Sequence, residues 1–159
     1  MRIVLRMSTE QQPATGTTAP RAPKALVWTV ITGVCAIITL IGSFLPWAHV
    51  EDITVNGIDH DGSITLVISV LAIFFALWGT GRIGIGGHRA VPLSLLVACM
   101  ALLAIIGIAD VSDVQKYATG LVGSLVDVGV SVGLWLVMIF GIIGTATSIV
   151  ALVLGVRRK

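Results

Sequence analysis

The sequence has very few charged residues. Only 11% of its 159 residues are Asp, Glu, Lys or Arg, whereas soluble domains carry about 25%. A chain with so few charges cannot cover a water-facing surface, and its mean hydropathy is +1.03. The net charge of +2 also excludes the strongly basic surface that nucleic-acid binding needs. Both shortages predict a protein that folds in lipid and does not bind nucleic acid.

Cysteine is also scarce. The two cysteines, Cys35 and Cys99, lie within long apolar runs, so we interpret them as small packing residues. Zinc-binding spacings and Ser-His-Asp or Cys-His patterns are missing from the sequence. The apolar runs hold no ionisable side chain apart from these thiols, although such residues usually mark proton and ion pathways. The sequence therefore favours a protein that is not an enzyme and uses no cofactor.

The sequence contains four long apolar runs. They cover residues 25–45, 63–80, 91–109 and 130–156. A helix of about 20 residues, within a range of about 17–25, crosses the hydrocarbon core of a bilayer. Helices are required because lipid offers the backbone no hydrogen-bond partner. The sequence predicts an all-α membrane protein built as a four-helix transmembrane bundle, with a disordered tail over 1–24 and a basic end at 157–159.

Charge differs strongly between the two sides of this predicted bundle. One side, formed by the tail, the loop between the second and third runs and the C-terminus, has nine basic residues and one acid, a net charge of +8. The other side has seven acids and Lys116, a net charge of −6. Cytoplasmic loops carry an excess of Lys and Arg. The pattern predicts a multi-pass protein of the cell (plasma) membrane with both termini cytoplasmic and an acidic outer side.

Each apolar run carries a stripe of small residues at helical spacing. Small residues allow helices to approach closely in lipid, where no hydrophobic force brings them together. We expect the stripes to face the interior of the bundle, and a hydroxyl-lined pathway is the alternative interpretation. The stripes are Thr32, Ala36, Thr39 and Ser43; Ser69, Ala72, Ala76 and Thr80; Ser94, Ala98 and Ala101; and Gly141, Thr145, Ser148, Ala151 and Gly155.

The two loops on the outer side contain local structure signals. Asn56-Gly57 lies between β-favouring residues, which predicts a small β-hairpin turning at that dipeptide, because a type I′ turn needs positive φ at both positions. In the second outer loop, Ser112 and Gln115 have capping-box spacing, and apolar residues follow at helical spacing. There we predict a short amphipathic helix that lies in the membrane interface or docks a partner.

The first outer loop also contains the residues best suited to binding a metal ion. Carboxylates supply the oxygen ligands that calcium prefers. Their spacing matches only a fragment of a calcium-binding loop, so a solvated acidic loop is the alternative interpretation. The candidate ligands are Glu51, Asp52, Asp59, His60 and Asp61.

Two motifs flank this loop. Phe44-Leu45-Pro46-Trp47 closes the first run, and GIDHDGSITLV, residues 57–67, opens the second. Together they resemble small uncharacterised four-span membrane proteins of actinobacteria, which pair a Leu-Pro-Trp exit with a Gly-Asp-Gly-type start of the next helix. Here His60 stands where Gly is common. The resemblance covers the first two runs and implies an actinobacterial cell-membrane protein, without implying an activity.

The sequence supports two functional hypotheses. The first is a non-enzymatic structural or accessory subunit of a larger cell-envelope or respiratory membrane assembly, because packing surface is extensive and reactive groups are missing. Its partners would be the lipid bilayer and either another membrane protein or further copies of this chain. The second is a cation-sensing protein or small oligomeric channel that uses the acidic outer loop.

Overall fold

The computed structural model of this chain describes residues 23–50, 53–59, 62–81, 83, 90–120 and 127–157. Most of these residues belong to long helices, each apolar and long enough to cross a membrane. Both α1 and α3 pack against α2 and against α4, so the helices form a closed bundle. The prediction of four long apolar helices is confirmed, while most of the predicted tail lies outside the described residues. The helices are α1 (Pro23–Phe44), α2 (Gly62–Gly79), α3 (Ala90–Thr119) and α4 (Val132–Val156).

Large aliphatic side chains cover the outside of the bundle. In α1, Val30, Val34 and Ile41 each leave about half of their surface exposed, at 52%, 50% and 52%, and the other helices expose similar residues. Soluble monomers rarely expose contiguous apolar patches larger than a few hundred Å². A bundle with this surface is compatible with a multi-pass membrane protein.

The small-residue stripes of α1, α2 and α4 face the interior as expected. All four stripe residues of α1 are 0% exposed, and those of α2 are at most 8% exposed. In α4, Gly141, Ser148 and Ala151 are buried, and Thr145 and Gly155 are partly buried. These helices therefore meet through residues that bring little volume to the bundle axis.

The stripe predicted for the third run is wrong. Ser94 and Ala98 are exposed and Ala101 is only partly buried. The buried face of α3 carries large side chains instead, among them Leu96 and Met100, both 0% exposed. The physical reason is volume, because protein interiors are close-packed. Since the neighbouring helices contribute small residues, α3 has to fill the space that they leave.

Glycines set the closest approach between α3 and α4. A Cβ built on Gly141 would lie 2.8 Å from the backbone nitrogen of Ala104, and a Cβ built on Gly107 would lie 2.7 Å from the Cα of Met138. Both distances are shorter than the roughly 3.5–4.0 Å of a favourable carbon contact. The two helices therefore touch backbone to backbone at these points.

Buried hydroxyl pairs join α1 to its neighbours. Hydroxyls at the contact between membrane helices commonly hydrogen-bond across it. Because the α1 hydroxyls are fully buried and bonded to other side chains, the packing interpretation is favoured over a water-filled pathway. The pairs are Thr39 and Ser69 at 3.1 Å, Ser43 and Thr65 at 2.9 Å, and Thr32 and Thr147 at 2.9 Å.

Three short strands form an antiparallel sheet at one end of the bundle, which we call the sheet end. The strands are β1 (Pro46–Val50), β2 (Ile53–Asn56) and β3 (Val128–Val130), in the order β2-β1-β3. β1 follows α1 almost directly, and β3 leads into α4. The pairing of β1 with β2 confirms that the first outer loop contains a small hairpin, but its two strands do not lie on either side of Asn56-Gly57, as was predicted. The sequence did not predict β3.

The hairpin does not turn where it was predicted to turn. Val50 pairs with Ile53, so the connection falls at residues 51–52, which lie outside the described residues. Asn56 instead pairs with Pro46, and Gly57 begins a 3₁₀ helix, Gly57–Asp59. Among the described glycines only Gly81 has positive φ, at 71°. A residue without positive φ cannot form a type I′ turn.

The separate short helix predicted for the second outer loop is also wrong. Ser112 is not a helix cap, because α3 continues through it and its hydroxyl donates to the carbonyl of Ile108 at 2.8 Å. Neither Gly nor Pro occurs between Gly107 and Gly120, so nothing in this segment breaks the helix. α3 therefore extends by about three turns beyond the third apolar run, and residues 121–126 lie outside the described residues.

Candidate functional site

Most of the predicted metal ligands cannot be placed. Glu51, Asp52, His60 and Asp61 lie outside the described residues, and for Asp59 only the backbone is described, at the end of the 3₁₀ helix. Within the described ranges, no group of three or more His, Cys, Asp or Glu residues is arranged to hold a metal ion. The metal site stays a prediction.

Trp47 anchors the sheet to the bundle. The register of β1 against β2 shifts between Pro46 and Ala48, and such a bulge re-aims a side chain. The Trp47 side chain is 6% exposed, and its Nε1 donates to the carbonyl of Gly42 in α1 at 3.0 Å. The backbone nitrogen of Ser131, just before α4, donates to the Trp47 carbonyl at 2.9 Å. One residue thus connects α1, the sheet and the start of α4.

The two sequence motifs that flank the first outer loop meet at this anchor. The backbone nitrogen of Gly57 donates to the carbonyl of Leu45 at 3.3 Å. A Cβ on Gly57 would lie 2.6 Å from the Ser43 carbonyl oxygen and would also collide with the Trp47 ring. A Cβ on Gly62 would in turn collide with the backbone of Gly57. Both glycines are therefore required for close approach, which explains why Gly57 is not part of a turn.

A second contact fastens β1 to the start of α4. The Nδ1 atom of His49 lies 3.3 Å from the hydroxyl of Ser131. Ser131 is the N-cap residue of α4, but its side chain makes no capping bond. A Cβ on Gly129 would collide with the His49 imidazole, so this ring packs directly on the backbone of β3.

A cleft of about 230 Å³ opens between the sheet and the extension of α3. We call it the sheet-end cleft. One part of its lining is apolar or aromatic, formed by Trp47, Val55, Val114, Tyr117 and Leu134. The polar part of its lining includes Asn56, Asp110 and Asp113. The cleft thus combines an apolar wall with two carboxylates.

The two carboxylates lie on one face of α3. Asp110 and Asp113 are three residues apart, a spacing that makes side chains neighbours on a helix. Lys116 Nζ lies 2.8 Å from Asp113 Oδ1, and these side chains are 75% and 62% exposed. The hydrogen bond to Asp113 raises the pKa of Lys116, so the lysine stays charged at neutral pH. Exposed ion pairs of this kind contribute little to stability, so Lys116 is only weakly held at Asp113.

Sequence reasoning missed the sheet-end cleft. Asp110 and Asp113 were counted among the outer acids, but their position opposite the sheet depends on the extension of α3. β3 has three residues, Val128–Val130, too few to produce an alternating pattern that a sequence search would find. The uninterrupted helical segment after Gly107 was the available signal, and the capping-box spacing at Ser112 concealed it.

Comparisons of the chain with protein-family models, with curated proteins and with solved structures find no match. A functional interpretation therefore depends on two observations, the apolar surface of the bundle and the chemistry of the sheet end.

Proposed function

We propose that this chain is a non-enzymatic integral membrane protein, a structural or accessory subunit of a larger cell-envelope or respiratory assembly. In this proposal the four helices span the plasma membrane. The aliphatic exterior of the bundle supports it, because lipid is the solvent in which such a surface is stable. The buried hydroxyl pairs also support it, since in lipid the contacts between helices depend on packing and hydrogen bonds.

The charges of the described residues favour an orientation with the sheet end outside the cell. Lys24 and Arg157 lie at the end of the bundle opposite the sheet, whereas Lys116 lies near the sheet end together with the acids Asp110, Asp113 and Asp127. Basic residues concentrate on the cytoplasmic side of membrane proteins. We therefore expect both termini to be cytoplasmic and the sheet-end cleft to face the outside.

Labelling of single introduced cysteines tests this orientation. The native Cys35 and Cys99 are buried, so the unmodified protein is the background control. In intact cells a membrane-impermeant maleimide is expected to label Asp127→Cys and to leave Arg157→Cys unlabelled until the cells are opened. Labelling of Arg157→Cys alone in intact cells would mean that the orientation is reversed.

The proposal of an accessory role depends mainly on the sheet end. Among the described residues this end combines a cavity, charged side chains and a firmly anchored sheet, whereas large aliphatic side chains dominate the exterior of the helices. Buried side chains fill the centre of the bundle, and no ionisable side chain other than a thiol lies in the predicted spans. Among the described residues, chemistry suited to recognition is thus concentrated at the sheet end, which in this proposal both water and a partner protein can reach.

Isolation in native lipid tests the accessory role. Membranes that express the tagged chain at its natural level are dissolved with a lipid-extracting polymer, and the mass of the purified particle is measured. We expect a particle that contains a second protein in fixed proportion. A particle that holds a single copy of this chain alone would contradict the proposal.

A further inference from the structure

We propose that the sheet-end cleft receives one cationic side chain, an arginine or a lysine, from the partner protein. This inference rests on the proposed function, because it names the chemistry by which an accessory subunit would recognise its partner on the outer side of the membrane. The occupant follows from the size of the cleft, from its charge and from the composition of its walls.

The size of the cleft favours a single side chain. Its volume is about 230 Å³, whereas pockets for drug-sized molecules occupy about 300–1,000 Å³. A group of side-chain size fits such a volume better than a cofactor does. Arg and Lys have this shape, with an aliphatic stem and a charged head.

The walls of the cleft match both parts of such a side chain. Val114 and Leu134 offer apolar surface to the aliphatic stem, and Asp110 and Asp113 offer carboxylates to the charged head. A guanidinium or ammonium bonded to carboxylates forms one of the stronger hydrogen bonds available to proteins. The aromatic ring of Tyr117 can add a cation–π contact when the charge lies within about 6 Å of it.

One carboxylate of the cleft already pairs with a cation of the chain itself. The ammonium of Lys116 lies 2.8 Å from Asp113 Oδ1, although the lysine side chain is 75% exposed. A cation inside the cleft would meet this carboxylate and that of Asp110, which is less exposed than Asp113, and electrostatic attraction is stronger where less water surrounds the charges. Calcium is a poorer candidate, because it takes six to eight oxygen ligands and the described lining supplies two carboxylates.

Peptide binding to the full chain in lipid nanodiscs tests the proposal. The probe is acetyl-Gly-Arg-Gly-amide, and its matched control is the same peptide with citrulline, which has nearly the shape of arginine but no charge. Saturation-transfer NMR is expected to detect the arginine peptide and to give a signal at least tenfold weaker with citrulline. Raising the salt concentration should weaken binding, because the attraction is electrostatic. Equal signals from the two peptides would overturn the proposal.

Variants locate the binding site. Asp110→Asn and Asp113→Asn are each expected to weaken binding of the arginine peptide about tenfold. Asp127→Asn is the matched control, because Asp127 is exposed near the same end and does not line the cleft, and it should leave binding unchanged. Asn56 is an exposed residue of the cleft lining. Asn56→Lys should block binding of the arginine peptide, because its ammonium would occupy the cleft. This variant tests the binding site even if an Asp110 variant fails to fold. Equal losses in the Asp127 and Asp110 variants would refute the assignment.

Two further outcomes separate this inference from the proposed function. If the native particle keeps its second protein when Asp110→Asn and Asp113→Asn are combined, the cleft is not the docking point, although the accessory role stands. If calcium chloride binds to the wild-type chain and the arginine peptide does not, the cleft is a cation site and the inference fails. A native particle that contains a single copy of this chain and no other protein contradicts the accessory role, whether or not the arginine peptide binds.

Discussion

Replacement of Gly141 by alanine is expected to force α3 and α4 apart. The added Cβ would lie 2.8 Å from the nitrogen and 2.9 Å from the Cα of Ala104, and 3.1 Å from the carbonyl carbon of Leu103. Favourable contacts of carbon atoms begin at about 3.5 Å, so relief of these three contacts requires shifts of roughly 0.4–0.7 Å. Because the crowded atoms belong to the backbone, no side-chain rotation can provide it.

The expected magnitude follows from two opposing effects. Alanine in a helix interior is more favourable than glycine by roughly 0.5–1 kcal/mol. Overpacking of a well-packed interior costs about 1–3 kcal/mol, and in lipid this packing is a main source of helix association. The contact between α3 and α4 is among the most extensive in the bundle, so we expect the cost to prevail. The free energy of unfolding should fall by about 1–2 kcal/mol.

Gly33 provides a matched control on another helix. A Cβ on Gly33 would lie 3.4 Å from the Cβ of Ala76, which is close to ordinary contact. Gly33→Ala should therefore leave stability unchanged or raise it by about 0.5 kcal/mol. Both variants are unfolded reversibly in mixed micelles by increasing the fraction of dodecyl sulfate, and helix content is followed by circular dichroism.

The comparison between the two variants decides the outcome. We expect Gly141→Ala to be less stable than Gly33→Ala by about 2 kcal/mol. If Gly141→Ala is as stable as Gly33→Ala, α3 and α4 do not meet backbone to backbone at this position. The packing of α3 against α4 would then differ from the arrangement described above.

Three further changes probe other parts of the structure. A double-mutant cycle with Thr39→Val and Ser69→Ala should give a coupling of about 0.6 kcal/mol in the same unfolding assay, whereas additive effects would mean that the hydroxyls do not bond. Gly57→Ala should lower the free energy of unfolding by about 1–3 kcal/mol, and a smaller loss in a Trp47→Phe background would confirm that the indole causes it. Lys116→Met should leave thermal stability nearly unchanged, because its ion pair is exposed, but should tighten binding of the arginine peptide, since a competitor for Asp113 is removed. Unchanged peptide affinity in that variant would argue against such competition.

Length and hydropathy were sufficient to predict the four helices, because lipid leaves the backbone of an apolar run no other regular structure. The faces of the helices were predictable only in part. The stripe of α1 was correct because its hydroxyls pair with hydroxyls of α2 and α4 across the interior of the bundle. The stripe of α3 was wrong because the residue volume required at the axis depends on the neighbouring helices, and the local sequence of α3 does not contain that information.

The sheet end was harder to predict, since it depends on contacts between distant segments. The presence of a hairpin was predicted correctly, because β-favouring residues dominate the first outer loop. Its turn was misplaced because the sequence does not distinguish a glycine that adopts positive φ in a turn from a glycine that leaves space for a neighbouring side chain. Gly57 leaves space for Trp47. The cleft forms only because α3 extends alongside the sheet, although 8 residues separate the end of α3 from the start of β3. Only the folded chain brings Asp110 and Val55 to the same cleft.

The composition of the cleft has a consequence for stability. Its lining comes from four elements, with Trp47 in β1, Val55 in β2, Asp113 in α3 and Leu134 in α4. A side chain that binds there would hold these elements together in their folded arrangement. Binding to the folded state alone raises stability by about 2.7 kcal/mol when the ligand is present at 100 times its Kd. A partner that inserts a cation into the cleft would therefore stabilise the whole bundle, and a chain purified without its partner should unfold more easily than the same chain in its native particle.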